Sequence, residues 1–119
     1  MKKQFKILFV DDDTSLNQLL EKALSERGYQ VDIVADGLSA LNMLEKRYYD
    51  VAVLDNYLPK MNGIEVLKHI REQKLTTKVI MITAVDEQQL AHESIKLGAD
   101  AILAKPFEFE KLISSIERL

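Results

Sequence analysis

The stretch Val51-Ala52-Val53-Leu54-Asp55 limits what this chain can fold into more than any other part of it. Four consecutive apolar residues run straight into a carboxylate, with Pro59 and Gly63 close behind. A strand that is apolar at every position has to be covered on both faces, as in a parallel sheet held between two helical layers. Asp55 then emerges at the carboxyl end of the strand, the edge where open α/β sheets place their ligands. Pro59 and Gly63 mark the loop that leads into the next helix.

The same unit recurs along the chain. Ile7 to Val10 reads as a first buried strand and ends in Asp11-Asp12-Asp13. Thr14 to Arg27 follows, with Leu16, Leu19, Leu20, Ala23 and Leu24 at the spacing of an amphipathic helix. Asp13 or Thr14 can cap its start, and Gly28 can end it in a left-handed conformation. Val31 to Val34 makes a second strand. Leu38 to Lys46 makes a second helix with Ala40, Leu41 and Leu44 inward, closed against the core by Tyr48-Tyr49.

After the central strand, a third helix spans about Ile64 to Gln73, with Ile64, Leu67 and Ile70 on one face. Lys78 to Ile82 is a fourth strand that ends at Thr83. Asp86 with Gln89 three positions on forms a plausible capping box. It opens a fourth helix to about Lys96, whose thin apolar stripe is Leu90, Ala91 and Ile95 and whose end is Gly98. Ala101 to Leu103 is the fifth strand, leading to Ala104-Lys105-Pro106. The last helix begins at Glu108 and aligns Phe109, Leu112, Ile113 and Ile116, with Phe107 and Phe109 packing at its start. Gly28, Gly37, Gly63, Gly98, Pro59 and Pro106 all fall between elements. Strict βα alternation, five times over, predicts an α/β fold with a doubly wound parallel sheet and all strand ends on one rim.

At 119 residues the chain is long enough for one domain, residues 1–119, and too short for two. A net charge of −3 and a pI near 5.4 argue against direct nucleic-acid binding, which calls for a basic patch. The chain has no cysteine, so disulfides, thiolate metal sites and cysteine nucleophiles are excluded. Its apolar runs are too short to span a membrane. Met1-Lys2-Lys3 leads through a short apolar stretch directly into three aspartates, which is no signal peptide. A cytoplasmic location is the expectation.

The strand ends bring Asp11-Asp12-Asp13, Asp55, Thr83 and Lys105 to one rim, with nothing polar of note after the second strand. Converging carboxylates repel one another and raise at least one pKa unless a cation intervenes. A hard divalent ion such as Mg²⁺, with its preference for oxygen ligands, relieves the conflict and neutralises charge on an incoming phosphoryl group. Asp55 is suited to attack phosphorus and form an acyl phosphate. Lys105 supplies a mobile cation and Thr83 a hydroxyl for phosphoryl oxygens. His69 and His92 lie on helical segments with no acidic partner in sequence reach, and neither is assigned a role.

Along nearly its whole length the chain resembles a response regulator receiver domain of two-component and phosphorelay signalling. The resemblance rests on Ile7-Leu8-Phe9-Val10-Asp11-Asp12-Asp13, Val53-Leu54-Asp55 with Pro59 and Gly63, Ile82-Thr83-Ala84, Gly98-Ala99-Asp100 and Lys105-Pro106-Phe107. It implies a five-stranded sheet in the order 2-1-3-4-5, with two helices on one face and three on the other. It implies that a histidine kinase or phosphotransfer protein donates a phosphoryl group to Asp55, and that the domain itself catalyses the transfer. Asp12 would then bind Mg²⁺ (or Mn²⁺) directly, Asp11 chiefly through water, with Asp55 and the backbone carbonyl of Tyr57 completing the protein ligands. Thr83 and Lys105 would close on the phosphoryl group, and the Lys105-Pro106 bond would be cis. The signal would pass through the fourth helix, fifth strand and fifth helix to a downstream effector or a fused output domain. Leu119 falls where the last helix should close, which fits a stand-alone regulator and a receiver portion of a longer one equally.

Three positions depart from the family pattern. Ile102 stands where an aromatic switch residue is common, which alters any coupling from Thr83. Tyr57 and Val85 flank the phosphoryl site, and neither side chain is suited to orienting an attacking water, so slow loss of phosphate is expected. Two other readings use the same residues. In a haloacid-dehalogenase-like phosphohydrolase, Asp11 would be the nucleophile and Asp13 the acid/base. That leaves Asp55 without a role and requires an acidic motif after Lys105, where only Glu108, Glu110 and Glu117 occur. A receiver-like interaction module without phosphorylation would leave the acidic set and Lys105 unused.

Overall fold

The structure is a computed structural model that describes residues 5–119; Met1-Lys2-Lys3, read above as no signal peptide, lies outside them. Strands and helices alternate: β1 (Lys6–Val10), α1 (Thr14–Glu26), β2 (Gln30–Val34), α2 (Gly37–Lys46), β3 (Val51–Asp55), α3 (Gly63–Glu72), β4 (Lys78–Ala84), α4 (Gln88–Lys96), β5 (Ala101–Lys105) and α5 (Phe109–Glu117). All pairings are parallel and the strand order is β2-β1-β3-β4-β5. This is the doubly wound α/β sheet expected from the alternation.

The period of two along each strand divides the core between the sheet faces. Ile7, Phe9, Val51, Val53, Ile80, Ile82 and Leu103 point to one face. There they meet Leu20 and Leu24 of α1 and Leu112, Ile113 and Ile116 of α5. Leu8, Val10, Ala52, Leu54, Val79 and Met81 point to the other, against Ala40 and Leu44 of α2 and Ile64, Val66, Leu67 and Ile70 of α3. Leu90 and Leu97 bring α4 to this second layer, which gives two helices on one side and three on the other. Residues 51–54 are completely buried, the two-sided coverage that an all-apolar strand demands.

Several local expectations are corrected. Gly37 and Gly63 are the first residues of α2 and α3, not punctuation between elements. Close approach explains them: a Cβ on Gly37 would lie 1.8 Å from the Met61 carbonyl oxygen, and one on Gly63 would lie 2.5 Å from that of Asp55. Gly28 and Gly98 do take the left-handed backbone, at φ of 90° and 105°. β4 continues through Thr83 to Ala84 and β5 through to Lys105.

The Asp86–Gln89 capping box is absent. α4 begins at Gln88 behind Glu87, whose carboxylate serves other donors and gives the helix no side-chain cap. Leu19 and Ile95 are exposed, because the buried stripes of α1 and α4 run through Leu20 and Leu24 and through Ser94. Only Tyr49 of the Tyr48-Tyr49 pair closes the core; it is buried and donates its hydroxyl to Asp32 (2.5 Å), while Tyr48 is half exposed. Phe107 and Phe109 pack on the first layer as expected. The residues after β2 include Asp36, a polar residue passed over above; it caps α2 by accepting the Ser39 N–H (2.7 Å).

Candidate phosphoryl and metal site

Asp11 follows the last residue of β1 and is fully buried. Its backbone continues the sheet by donating to the Val34 carbonyl (3.2 Å). Both side-chain oxygens have donors: Oδ1 accepts the Asp13 N–H (2.9 Å) and Oδ2 accepts Lys105 Nζ (3.0 Å). The Asn17 amide donates to the Asp11 carbonyl oxygen (2.6 Å) and so ties the first turn of α1 to the same point. Asp12 is exposed. Asp13 turns away to cap α1, accepting the Leu16 N–H (3.1 Å).

Asp55 ends β3 with its side chain 13% exposed. Its position is fixed from behind by Asn56, a buried residue that the sequence reading did not single out. The Asn56 side-chain oxygen accepts the Ile64 N–H (3.1 Å) and its carbonyl accepts the Gly63 N–H (2.9 Å), so α3 starts directly against the strand end. A reciprocal Asn62–Glu65 capping box, also unnoticed in the sequence, completes that start. Asp55 Oδ1 faces the Tyr57 N–H at 3.3 Å, and Oδ2 faces Lys105 Nζ at 3.3 Å.

Lys105 thus bridges Asp11 and Asp55 from the end of β5, just before a cis bond to Pro106. Burial pushes the Asp55 pKa up; the Lys105 charge pulls it down and the Asp11 charge pushes it up again, for a net rise. Burial lowers that of Lys105, but the hydrogen bond and charge of Asp11 and the charge of Asp55 more than offset this, and the ammonium is held above its usual range. Thr83 is buried on β4, one residue beyond Ile82, the residue in register with Asp55.

Carboxylate oxygens of Asp11, Asp12 and Asp55 come within 4.8 Å of one another. Three hard oxygen donors at that spacing, with one residue exposed to solvent, match the ligand preference of Mg²⁺ or Mn²⁺. The residues present therefore fit a divalent ion. Tyr57 and Val85 are 65% and 71% exposed, Tyr57 with its backbone N–H on Asp55 Oδ1, whereas Ile102 is partly buried against the second core layer. His92 is exposed and His69 half-buried on α3. The sequence reading missed Glu87, whose carboxylate takes the Tyr57 hydroxyl and the Ala84 N–H (3.0 Å).

Comparison with known proteins agrees with this arrangement. The profile of the response regulator receiver domain matches residues 7–117. The chain is 45% identical over 102 residues to the alkaline phosphatase synthesis transcriptional regulatory protein PhoP of Bacillus subtilis, covering 86% of this chain and 42% of that one. It is 39% identical over 110 residues to the response regulator ArlR of Staphylococcus epidermidis, covering 92% and 50%. It therefore spans about half the length of these relatives.

Among solved structures, the receiver domain of the Francisella response regulator 1452 superposes with a TM-score of 0.91 at 34% identity, over 97% of this chain and 95% of that one. The receiver domain of the sensor histidine kinase PA1611 of Pseudomonas aeruginosa, with magnesium coordinated in its active-site cleft, gives 0.86 at 30% identity over 98% and 97%. A profile match across almost every described residue, with solved receiver domains superposing at TM-scores of 0.91 and 0.86, leaves the phosphohydrolase reading without support. The chain belongs to the response regulator receiver domain family.

Proposed function

We propose that residues 1–119 act as one receiver unit that accepts a phosphoryl group on Asp55. The observation that carries this reading is the Lys105 ammonium set between Asp11 and Asp55, with three carboxylates gathered beside it. Asp55 is the better nucleophile of the pair. Asp11 is wholly buried and holds its two donors at 2.9 and 3.0 Å, whereas Asp55 is 13% exposed and meets its two donors only at 3.3 Å.

In the transfer, an Asp55 oxygen forms a bond to phosphorus as the phosphorus–nitrogen bond of a phosphohistidine breaks. The leaving imidazole takes the bonding electron pair. Lys105 supplies positive charge to the phosphoryl oxygens, and the Thr83 hydroxyl, one residue past the register partner of Asp55, donates to another. Asp11, Asp12, Asp55 and the Tyr57 carbonyl would hold Mg²⁺ or Mn²⁺, which when bound neutralises phosphoryl charge.

The donor is a histidine kinase or phosphotransfer protein, and the readout surface is α4, β5 and α5, addressed to an effector or a fused output domain. No described helix is long and apolar enough to cross a membrane. We place the domain in the cytoplasm, with no direct contact to nucleic acid or membrane.

Intact-mass measurement after incubation with a small-molecule phosphodonor, with and without Mg²⁺, tests the reading on wild type and Asp55→Asn. A single Mg²⁺-dependent phosphoryl adduct, lost in the variant, is expected. An adduct that survives in Asp55→Asn transfers the nucleophile to Asp11. No adduct in either protein, with Mg²⁺ binding intact, identifies a non-phosphorylated interaction module.

A further inference from the structure

One carboxylate joins the two loops that flank Asp55. Tyr57, two residues beyond Asp55, gives its backbone N–H to Asp55 Oδ1 and extends its phenol to Glu87 Oε2 at the start of α4. The other Glu87 oxygen accepts the N–H of Ala84, the residue after Thr83 (3.0 Å). An exposed tyrosine ordinarily samples several rotamers. Here the partner carboxylate is itself fixed to the backbone, so a single rotamer is selected. That rotamer carries the ring from the loop after β3 to the loop after β4, across the gap between the ends of two adjacent strands.

We propose that Glu87 is a positioning residue for the phosphoryl site: by fixing Tyr57 across this gap, it limits approach of the apical group to phosphorus on Asp55. The inference rests on the reading of Asp55 as phosphoacceptor. Attacking and leaving groups in phosphoryl transfer stand roughly in line. The donor's leaving group and, later, the hydrolytic water therefore occupy the same apical position, opposite the Asp55 oxygen. In hydrolysis the water oxygen bonds to phosphorus and the phosphorus–oxygen bond to Asp55 breaks. The electron pair returns to the carboxylate, the water proton passes to solvent, and inorganic phosphate leaves. Neither Tyr57 nor Glu87 exchanges a proton in this scheme; the ring acts by occupying the approach.

The test compares wild type, Glu87→Ala, Tyr57→Phe and the double variant. Each is phosphorylated with acetyl phosphate and then followed by intact mass after donor removal. Tyr57→Phe keeps the ring and removes only the hydroxyl that Glu87 holds. Both single variants should gain and lose phosphate faster by about 2- to 10-fold, the rate equivalent of one ordinary hydrogen bond. The double variant should match Glu87→Ala, which already removes the Tyr57 contact together with the Ala84 hydrogen bond. Mg²⁺ affinity of Glu87→Ala by calorimetry should not change, because Glu87 is not among the residues that would hold the ion. Circular dichroism checks that all four proteins are folded.

Unchanged or slower phosphate loss in both singles, or additive effects in the double variant, overturns the inference while the phosphoacceptor reading stands. Absence of any adduct on folded wild type overturns both.

Discussion

Replacing Asp55 by Asn should make the domain more stable when no divalent cation is bound. The Asp55 side chain is 13% exposed and has Lys105 Nζ at 3.3 Å, with oxygens of Asp11 and Asp12 within 4.8 Å. At an effective dielectric near 20, the Lys105 pair attracts by about 5 kcal/mol and each carboxylate pair repels by about 3.5 kcal/mol. Two repulsions exceed one attraction by about 2 kcal/mol, a figure reduced by the exposure of Asp12 and increased by the removal of Asp55 from water. An asparagine keeps an oxygen for Lys105 without the charge. The expected gain is about 1–2 kcal/mol, or roughly 3–8 °C in Tm for a domain of this size.

The pH dependence has a definite sign. Burial first, then the Asp11 charge, raise the Asp55 pKa above 3.8 against the pull of Lys105, so the folded chain holds this proton more tightly than the unfolded one. Stability then falls as pH rises through the window above 3.8, and is regained on acidification toward it. Asp55→Asn lacks that component. Urea unfolding in chelator, followed by far-UV circular dichroism from neutral pH down into the carboxylate range, measures both effects. Adding Mg²⁺ at ten times its Kd should stabilise wild type by about 1.4 kcal/mol and the variant by less. A variant less stable than wild type in chelator, with an unchanged pH slope, refutes the reasoning.

Gly63→Ala places a Cβ 2.5 Å from the Asp55 carbonyl oxygen and 2.9 Å from the Asn56 Cα. It should cost about 1–3 kcal/mol in urea unfolding and slow phosphorylation of Asp55; wild-type values in both would refute the packing argument. Arg71→Ala strips hydrogen bonds from the carbonyls of Gly98, Leu75 and Thr77 and from Asp100. A loss of about 2–4 kcal/mol is expected. Arg71→Lys should recover less than half of it, because an ammonium cannot present the planar fork. Tyr57→Asn combined with Val85→Glu supplies polar groups suited to holding water beside the acyl phosphate, and should shorten its lifetime; unchanged decay argues that these positions do not tune it.

The rim of the sheet was legible because its residues are the last of short, apolar, regularly spaced strands. Asp11, Asp55, Thr83 and Lys105 each follow a run whose burial composition alone dictates, and parallel connections then bring the run ends together. Helix phase was less legible. α4 has nine residues, and its one fully buried side chain is Ser94, whose hydroxyl returns to the Leu90 carbonyl (2.8 Å) and so occupies the core at no polar cost. A hydropathy stripe passes over such a serine and assigns Ile95 inward in its place. Long polar side chains that meet distant partners away from the strand ends left no trace. Glu87 meets Tyr57 thirty residues away in sequence, and Arg71 meets Asp100 twenty-nine away. Neither contact leaves a periodicity or a motif.

These two contacts define how α4 is held. At its end, Arg71 binds the Gly98 carbonyl and Asp100, while Asp100 also takes the Val79 N–H (2.8 Å), so the exit from α4 is locked to α3, β4 and the start of β5. At its beginning there is no side-chain cap, and the carboxylate of Glu87 reaches instead to Tyr57 and Ala84. Between the two ends one residue is buried, against five in α3. Displacing the start of α4 exposes little apolar surface and breaks few hydrogen bonds, whereas displacing its end breaks a network. The compliant end is the one joined through Tyr57 to the backbone beside Asp55. If α4 belongs to the readout surface as proposed above, a change in charge at Asp55 would act on the part of that helix that resists it least.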